Sequence, residues 1–332
     1  MKRRQALLLT AALTTLGACA PAAQEPSRSA SPAVASSPEA WLTTLDRAHP
    51  LVGQLWDVRA GALVTPETVA RRLASARFVL VGERHDNPDH HRLQARALQW
   101  LVEAGRKPVV AFEMLEVEQQ PLLDELRKRP GLQAGELGTA LGWEKTTWPP
   151  YAEYQPIFEV ALSAGLRLVA ANLAHQDAKA LVKQGASALA PERVSALQLG
   201  APFPDPLQQA LLGELRSSHC GHLPESLLEP MALAQHARDA QMASVMVQAG
   251  GSEGALLIAG SGHVRKDRGV PYYLNLQAPG ATLLSVAMQE VDSARRDARD
   301  YQEPDPQASV FDYLWFTPRL SDDDPCAAFK TK

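Results

Sequence analysis

The sequence predicts an α/β fold in which helices flank a mostly parallel central sheet. Four short apolar runs are typical of buried strands, and each of them ends directly in polar residues. Segments with helical periodicity alternate with these runs, which favours parallel strands. The four strands are predicted over residues 78–81, 108–112, 167–171 and 255–259.

The helices are recognised by their ends. Thr65 can cap a helix that begins at Pro66 and runs to about Ala74, because proline suits a first helical turn. An amphipathic helix over 89–104 stops at Gly105. Further helices are predicted over 119–128, 154–164 and 232–249. The segment 134–150, rich in glycine and proline, is predicted to be a loop.

The alternation breaks between residue 176 and about residue 230. This stretch is helical but interrupted by prolines, and we interpret it as an inserted helical lobe over the strand ends. Two late strands, over 282–288 and 310–316, are predicted at the edge of the sheet.

The first 18 residues resemble a lipoprotein signal peptide. Lys2, Arg3 and Arg4 precede an apolar stretch that is too short to span a bilayer comfortably. The motif ending in Cys19 resembles a lipobox, which predicts acylation (palmitate) of that cysteine; an ordinary signal peptide or a short anchor is the alternative. A linker of Ala, Pro and Ser is predicted over 19–45, a folded domain over 46–320 and a flexible tail over 321–332.

Composition narrows the classes of partner. The chain has 33 Lys and Arg against 37 Asp and Glu, a net charge of −4, and no polybasic patch that indicates nucleic acid. An envelope location permits a disulfide between Cys220 and Cys326. The tail around Cys326 looks mobile, however, which favours two unpaired thiols. His219 and His222 flank Cys220, but this set is incomplete for structural zinc, and a surface loop explains it.

Polar residues at the strand ends form the candidate site. In open α/β sheets, ligands bind outside the carboxyl ends of the strands. We therefore expect a common site for residues far apart in sequence: Glu83, His85, Glu113, Asn172 and His263.

The residue types favour acid–base or metal chemistry. Glu83 and His85 are two apart, so on extended backbone they point the same way and could bind a divalent metal or form a base with its orienting group. Near His263, two glycines allow backbone N–H groups to approach an anion, and Arg265 adds a fork for a carboxylate. Glu113 needs a partner, which could be a metal or a structural ion pair with Arg84 or Arg265.

Two further groups stand near these motifs. His90 and Gln94 lie four apart on one helix face. Aromatic side chains in and beside the segment 134–150 suit a flat ligand, and a tyrosinate can bind haem iron, although loop packing explains them equally. They are Trp143, Trp148, Tyr151 and Tyr154.

Taken together, the motifs resemble those of the ChaN-like haem-binding lipoproteins, over roughly residues 55 to 285. The resemblance rests on an ordered set of short motifs: Gly82-Glu83-x-His85-Asp86-Asn87 with His90, His91 and Gln94; Phe112-Glu113-Met114; Trp148-x-x-Tyr151-x-x-Tyr154-x-Pro156; Gln235-x-x-Arg238-Asp239-x-x-Met242-Ala243; and Gly260-x-Gly262-His263-Val264-Arg265 with Gly269-Val270-Pro271.

The resemblance implies an envelope lipoprotein that binds haem and takes part in haem and iron uptake. It implies a homodimer around haem, an outer-membrane haem receptor as partner, and a tyrosine ligand to the iron, with Tyr154 preferred over Tyr151. The expected polar and propionate contacts are Arg84, His85, His263 and Arg265. Since Ala20 follows Cys19, similarity to enterobacterial lipoproteins implies the outer membrane, facing the periplasm.

Two alternatives remain. The wider group includes metal-dependent TraB/Tiki proteases and erythromycin-esterase-like proteins. In such a hydrolase, Glu83, His85, Glu113 and His263 would hold a divalent metal or activate water. A purely structural lipoprotein with a vestigial cluster is the other alternative. The sequence leaves open whether haem is stored, relayed or degraded.

Overall fold

The strands form where branched and aromatic side chains alternate between two buried faces. The computed structural model describes residues 40–200, 203–302, 309–323 and 326–327. Within them a single mixed sheet has eight strands: β1 (Leu55–Asp57), β2 (Ala62–Val64), β3 (Phe78–Glu83), β4 (Val109–Glu116), β5 (Leu168–Asn172), β6 (Ala255–Gly260), β7 (Leu283–Glu290) and β8 (Tyr313–Thr317).

The strand order is β2-β1-β8-β7-β3-β6-β4-β5. Strands β3 to β8 pair in parallel, and only the hairpin of β1 and β2 runs antiparallel. The predicted mostly parallel α/β fold is confirmed. The edge position predicted for the two late strands is wrong, because β7 lies between β3 and β8, and β8 lies between β7 and β1.

Helices cover both faces of the sheet, as parallel sheets require. The α helices within the described residues are α1 (Pro66–Ser75), α2 (Pro88–Glu103), α3 (Gln120–Arg127), α4 (Ala134–Ala140), α5 (Tyr151–Ser163), α6 (His175–Gln184), α7 (Pro191–Ala196), α8 (Asp205–Ser218), α9 (Glu225–Gly250) and α10 (Val270–Gln277). Thr65 caps α1 as predicted, with its side chain accepting from the backbone N–H of Thr68.

Strand residues alternate between two cores. Val79 and Val81 of β3 pack with α2 and α5 residues such as Leu98 and Phe158. Phe78 and Leu80 of the same strand pack on the opposite face, in the cluster that includes the following side chains of α9 and α10: Met242, Met246 and Leu274. This period of two fixes which face each residue at a strand end will join.

The inserted lobe is helical, as predicted. It consists of α6, α7, α8 and the start of α9. The segment 134–150 was predicted to be a loop, and this is wrong in part. It contains α4 and a short 3-10 helix at Trp143–Lys145. A side-chain capping box at Gln133 and Glu136 stabilises α4 despite its two glycines.

The folded part begins before residue 46. Asp89, at the start of α2, accepts backbone N–H groups of Leu42 and Thr43 at 2.8–3.0 Å, and the Thr43 hydroxyl at 2.7 Å. The predicted linker therefore ends sooner than expected. The predicted signal peptide and Cys19 lie outside the described residues. Of the helices described, none is long and apolar enough to cross a membrane.

The preference for two unpaired thiols is wrong. Cys220 and Cys326 form a disulfide with a Cα–Cα distance of 5.5 Å. Residues 321–332 were predicted to be a flexible tail, yet this bond attaches the chain near its C-terminus to the residues that follow α8.

Candidate functional site

The first half of the site is a buried carboxylate at the end of β3. Glu83 continues the series of Val79 and Val81, so its side chain enters the face covered by α2 and α5. Its Oε1 is 2.7 Å from His85 Nδ1 and accepts a hydrogen bond from the Tyr154 hydroxyl at 2.7 Å. Its Oε2 lies 3.1 Å from Nε2 of His91, a buried residue on α2.

This carboxylate remains ionised although it is buried. Burial raises the pKa of Glu83, but hydrogen bonds and charge from His85 and His91 outweigh it, so the pKa lies below its usual value. The His91 ring also packs on the Tyr154 ring, with centroids 3.9 Å apart. Burial and the nearby Glu83 carboxylate raise the pKa of the Tyr154 hydroxyl well above its usual range, so this hydroxyl stays protonated and donates.

The second half of the site is Glu113, at β4. Its alternation with Val109 and Ala111 sends it to the opposite face, toward α9. Its Oε1 accepts from Arg238 Nη2 at 2.7 Å and lies 3.1 Å from His263 Nε2. Its Oε2 accepts the backbone N–H of Gly260 at 2.7 Å. Burial raises the pKa of Glu113, but the His263 and Arg238 charges outweigh it and hold the pKa far below its usual value.

A second carboxylate orients His263 from behind. Asp239 Oδ1 lies 2.5 Å from His263 Nδ1, so the ring is held between two acidic groups, Asp239 and Glu113. Burial alone would lower the pKa of His263, but these two carboxylates raise it to about 9. The imidazole is therefore a cation at neutral pH. Burial has the opposite effect on Asp239, whose pKa lies above its usual value.

His85 joins the two halves. Its Nδ1 faces Glu83, and its Nε2 is 3.8 Å from Glu113 Oε2. Burial lowers the pKa of His85, but the Glu83 hydrogen bond and both carboxylate charges raise it above the usual value. Its side chain is 35 % exposed, whereas those of Glu83 and Glu113 are almost fully buried. The indole of Trp148 contacts this imidazole edge-on, at 4.9 Å between centroids.

The structure thus brings Glu83, His85, Glu113 and His263 together as predicted. Asn172 also joins them: its Nδ2 donates to the Glu113 carbonyl at 2.8 Å, and its Oδ1 accepts from Arg238 Nε at 3.0 Å. Five strand-end residues separated by up to 180 positions therefore share one region.

Other predicted residues occupy different positions. Tyr154 is fully buried, and the Tyr151 hydroxyl donates to the Ala134 carbonyl at 2.5 Å. Arg84 points away from Glu83 along the strand and binds Asp86 and Glu290. Arg265 pairs with Asp267 at 2.9 Å. The guanidinium that binds Glu113 belongs to Arg238 rather than to Arg84 or Arg265.

His90 and Gln94 support the backbone of the site. His90 Nδ1 accepts the Arg84 backbone N–H at 2.8 Å, while its Nε2 is 2.9 Å from the Thr317 hydroxyl. Burial lowers the pKa of His90 to about 3, so the ring is neutral. Gln94 donates to the Val81 carbonyl at 3.0 Å. Both residues fix the end of β3.

Sequence reasoning missed His91, Arg238, Asp239 and Gln235 as site residues. Gln235 Nε2 lies 3.1 Å from His263 Nδ1. The available signal was helical spacing, because Gln235, Arg238 and Asp239 lie three and four apart and share one face of α9. Nothing local showed that this face would meet strand β6.

The acidic and imidazole groups bind one another instead of a common point. Within the described part of the chain, no group of three or more His, Cys, Asp or Glu side chains is arranged to hold a metal ion. The divalent-metal alternative therefore lacks support. His219, at the end of α8, bonds to its own helix through the Leu215 carbonyl, and Cys220 is in the disulfide.

Comparison with known families agrees with this geometry. Residues 69–274, more than half of the chain, match the family model described as haem-binding uptake, Tiki superfamily, ChaN. No curated protein matches the chain in sequence.

Comparison with solved structures identifies the same fold. A structure described as cofacial haem binding to ChaN of Campylobacter jejuni is 23 % identical, with a TM-score of 0.63 over 79 % of this chain and 95 % of that one. An erythromycin esterase, EreC, is 14 % identical, with a TM-score of 0.45 over 82 % of this chain and 98 % of that one. A Bacillus cereus protein is 12 % identical, with a TM-score of 0.45 over 77 % and 91 %.

Proposed function

Because this chain belongs to the haem-binding uptake family of the Tiki superfamily, ChaN, we propose that it binds haem at the strand-end cluster. The observation that carries the proposal is the extent of the family match. Residues 69–274 include both carboxylates, both imidazoles that join them and the helix face that carries Arg238.

The side chains that reach the surface of the cluster suit haem. Haem is a flat apolar ring with an iron centre and two carboxylates. His85 offers a partly exposed imidazole, and Trp148 lies beside it as an aromatic surface. Arg238 and Arg84, with side chains 27 % and 46 % exposed, are the cations available to propionates. When bound, haem supplies an iron that accepts an axial ligand.

We assign the contact with the iron side of haem to His85. Tyrosine ligation by Tyr154 would require its hydroxyl to leave Glu83 and a fully buried position. In the present geometry Tyr154 acts as a positioning residue, since Tyr154 and His85 share the same oxygen of Glu83. Tyr151 would likewise have to leave the Ala134 carbonyl.

A haem titration of the purified chain tests the assignment. We expect a Soret band that saturates near one haem per chain, with affinity reduced tenfold or more in His85→Ala. Tyr154→Phe should weaken binding less and leave the Soret position unchanged. The matched control is His175→Ala, at the exposed start of α6. A Soret shift in Tyr154→Phe with His85→Ala unaffected would transfer the ligand role to Tyr154.

The proposal extends to an envelope location and a role in haem and iron uptake. The sequence that ends at Cys19 supports a lipid anchor, and the Ala20 that follows it supports the outer membrane. Labelling with an alkyne palmitate analogue should mark the wild-type chain and fail in Cys19→Ala. Size-exclusion chromatography with and without haem tests the homodimer, and co-purification tests an outer-membrane haem receptor.

A hydrolase without a resident metal is the second candidate. One observation favours it: a buried carboxylate orients the accessible His85, and a cationic His263 lies on the other side of Glu113. His85 could take a proton from water while His263 stabilises the developing negative charge. Turnover of p-nitrophenyl acetate that is lost in both His85→Ala and Glu83→Gln, and is resistant to EDTA, would support hydrolysis.

A further inference from the structure

A large cavity lies below the helical lobe, away from the strand-end cluster. Its volume is about 1110 Å³, and its walls come from α7, α8, α9 and α10. Helix α9 separates it from the cluster: Gln235 lies against His263, whereas the next residue, His236, lines the cavity. The site proposed for haem does not use this cavity.

The wall is mainly apolar and aromatic. The Phe203 ring packs against His236, with centroids 4.1 Å apart, and against Tyr272, at 4.7 Å. Aliphatic side chains complete the wall, among them Leu189, Leu199 and Leu233. Such a surface favours a flat apolar molecule, since aromatic rings stack on flat partners.

One buried polar atom in the wall needs a partner. Gln208 donates its amide N–H to the Glu229 carboxylate at 2.6 Å, which directs its carbonyl oxygen toward His236 Nε2 at 2.9 Å. The proton of His236 must therefore be on Nε2, and Nδ1 is a hydrogen-bond acceptor. Burial lowers the pKa of His236 to about 4, which keeps the ring neutral. His236 is 6 % exposed, and no described residue bonds to its Nδ1.

The remaining polar groups favour a neutral donor. The side-chain carbonyl oxygen of Gln198, another lining residue, is also a buried acceptor with no partner among the described residues. Of the described residues that line the cavity, none is lysine or arginine, and Glu229 is acidic. An anionic ligand would meet no compensating charge, whereas a hydroxyl or N–H group could satisfy the two acceptors.

We propose that this cavity binds a neutral, flat, polycyclic aromatic molecule that carries a hydroxyl or N–H donor, with His236 as the acceptor that selects for the donor. The site is independent of the haem site at the strand ends. Its ligand class is a phenol-like aromatic compound rather than a carboxylate or phosphate.

Three pyrene derivatives test the proposal on the purified full-length chain by fluorescence titration. 1-Hydroxypyrene has the donor, 1-methoxypyrene has the same ring without it, and 1-pyrenecarboxylate is an anion. We expect 1-hydroxypyrene to bind roughly threefold to tenfold more tightly than 1-methoxypyrene, the effect of one hydrogen bond. The carboxylate should bind most weakly.

Two variants locate the site. His236→Phe keeps an aromatic ring against Phe203 and should abolish the preference for 1-hydroxypyrene, whereas the control His175→Phe should retain it. Leu233→Trp should fill the cavity and weaken all three probes without changing the haem titration. Equal binding of the first two probes, or a preference that survives in His236→Phe, would overturn the proposal. So would displacement of 1-hydroxypyrene by haem at one equivalent, because the cavity would then be the haem site.

Discussion

The hydroxyl of Tyr154 donates to Glu83 at 2.7 Å and joins helix α5 to the end of strand β3 across 71 positions of the chain. The same carboxylate oxygen lies 2.7 Å from His85 Nδ1. A residue inside the helical layer therefore helps to orient the accessible imidazole at the rim of the sheet.

Tyr154→Phe should lower the free energy of unfolding by about 1–3 kcal/mol, because it removes a donor from a buried carboxylate. Urea unfolding measures the loss. Tyr151→Phe is the matched control in the same helix, since its half-buried hydroxyl bonds only to a backbone carbonyl that can find another partner. We expect a smaller loss there. Equal losses in the two variants would contradict a special role for the Tyr154–Glu83 bond.

Gly260→Ala should displace the His85 ring. A Cβ at this position would lie 2.8 Å from His85 Nε2 and 3.1 Å from its Cε1, closer than carbon atoms tolerate. The ring must then leave its bond with Glu83, so haem affinity should fall while the fold survives. Haem titration and circular dichroism measure the two effects.

Gly135→Ala is the control for this change, because its Cβ would approach only the Gln155 amide, at 4.0 Å. Full haem affinity in Gly260→Ala would show that the orientation of His85 is irrelevant to binding.

Much of this architecture follows from local sequence, but the second half of the site does not. The strand-end positions of Glu83, Glu113 and His263 were predictable, since a buried apolar run must end where polar residues begin. The hairpin Leu55–Asp57 and Ala62–Val64 was not, because two three-residue strands are too short to show a period.

The partners of the carboxylates depended on packing that local patterns do not contain. Arg238, not Arg84 or Arg265, binds Glu113, because the period of two turns Glu113 toward α9. The disulfide was also beyond the local sequence, since the composition of the tail does not show that Cys326 meets Cys220.

Glu113→Gln should destabilise the fold by about 3 kcal/mol, because it leaves the His263 and Arg238 cations facing a neutral amide. Gln is nearly the same size, so the effect reports charge rather than volume. Urea unfolding measures it, with Glu118→Gln as an exposed control on the residues just after β4. A stability equal to that of the control would mean that the ion pairs around Glu113 contribute nothing net.

Loss of the disulfide should lower stability by about 2–4 kcal/mol, since the bond closes a loop with a sequence separation of 106. Cys220→Ser and Cys326→Ser should have equal effects on Tm, and the double variant should resemble either single one. Dithiothreitol should reproduce the loss in the wild-type chain and leave all three variants unchanged. Additive losses in the double variant would indicate that each cysteine contributes by packing instead.

The charge on His263 should make stability fall as pH rises above neutrality. The two flanking carboxylates raise its folded-state pKa to about 9 from the model value of 6.5, so the folded protein holds a proton that the unfolded chain releases. The stabilisation is fully present below about pH 6.5 and is lost as pH approaches 9. Its size is at most about 3 kcal/mol, from 1.36 kcal/mol per pKa unit.

Urea unfolding at pH 6.0, 7.5 and 9.0 measures this slope, and His263→Gln should remove most of it. His85 also has a raised pKa, so part of the slope should remain in that variant and disappear when His85→Gln is added. An unfolding free energy that stays constant from pH 6 to 9 in the wild-type chain would mean that His263 is neutral in the folded protein. The ion pairs of His263 with Glu113 and Asp239 would then be hydrogen bonds between an uncharged ring and its neighbours.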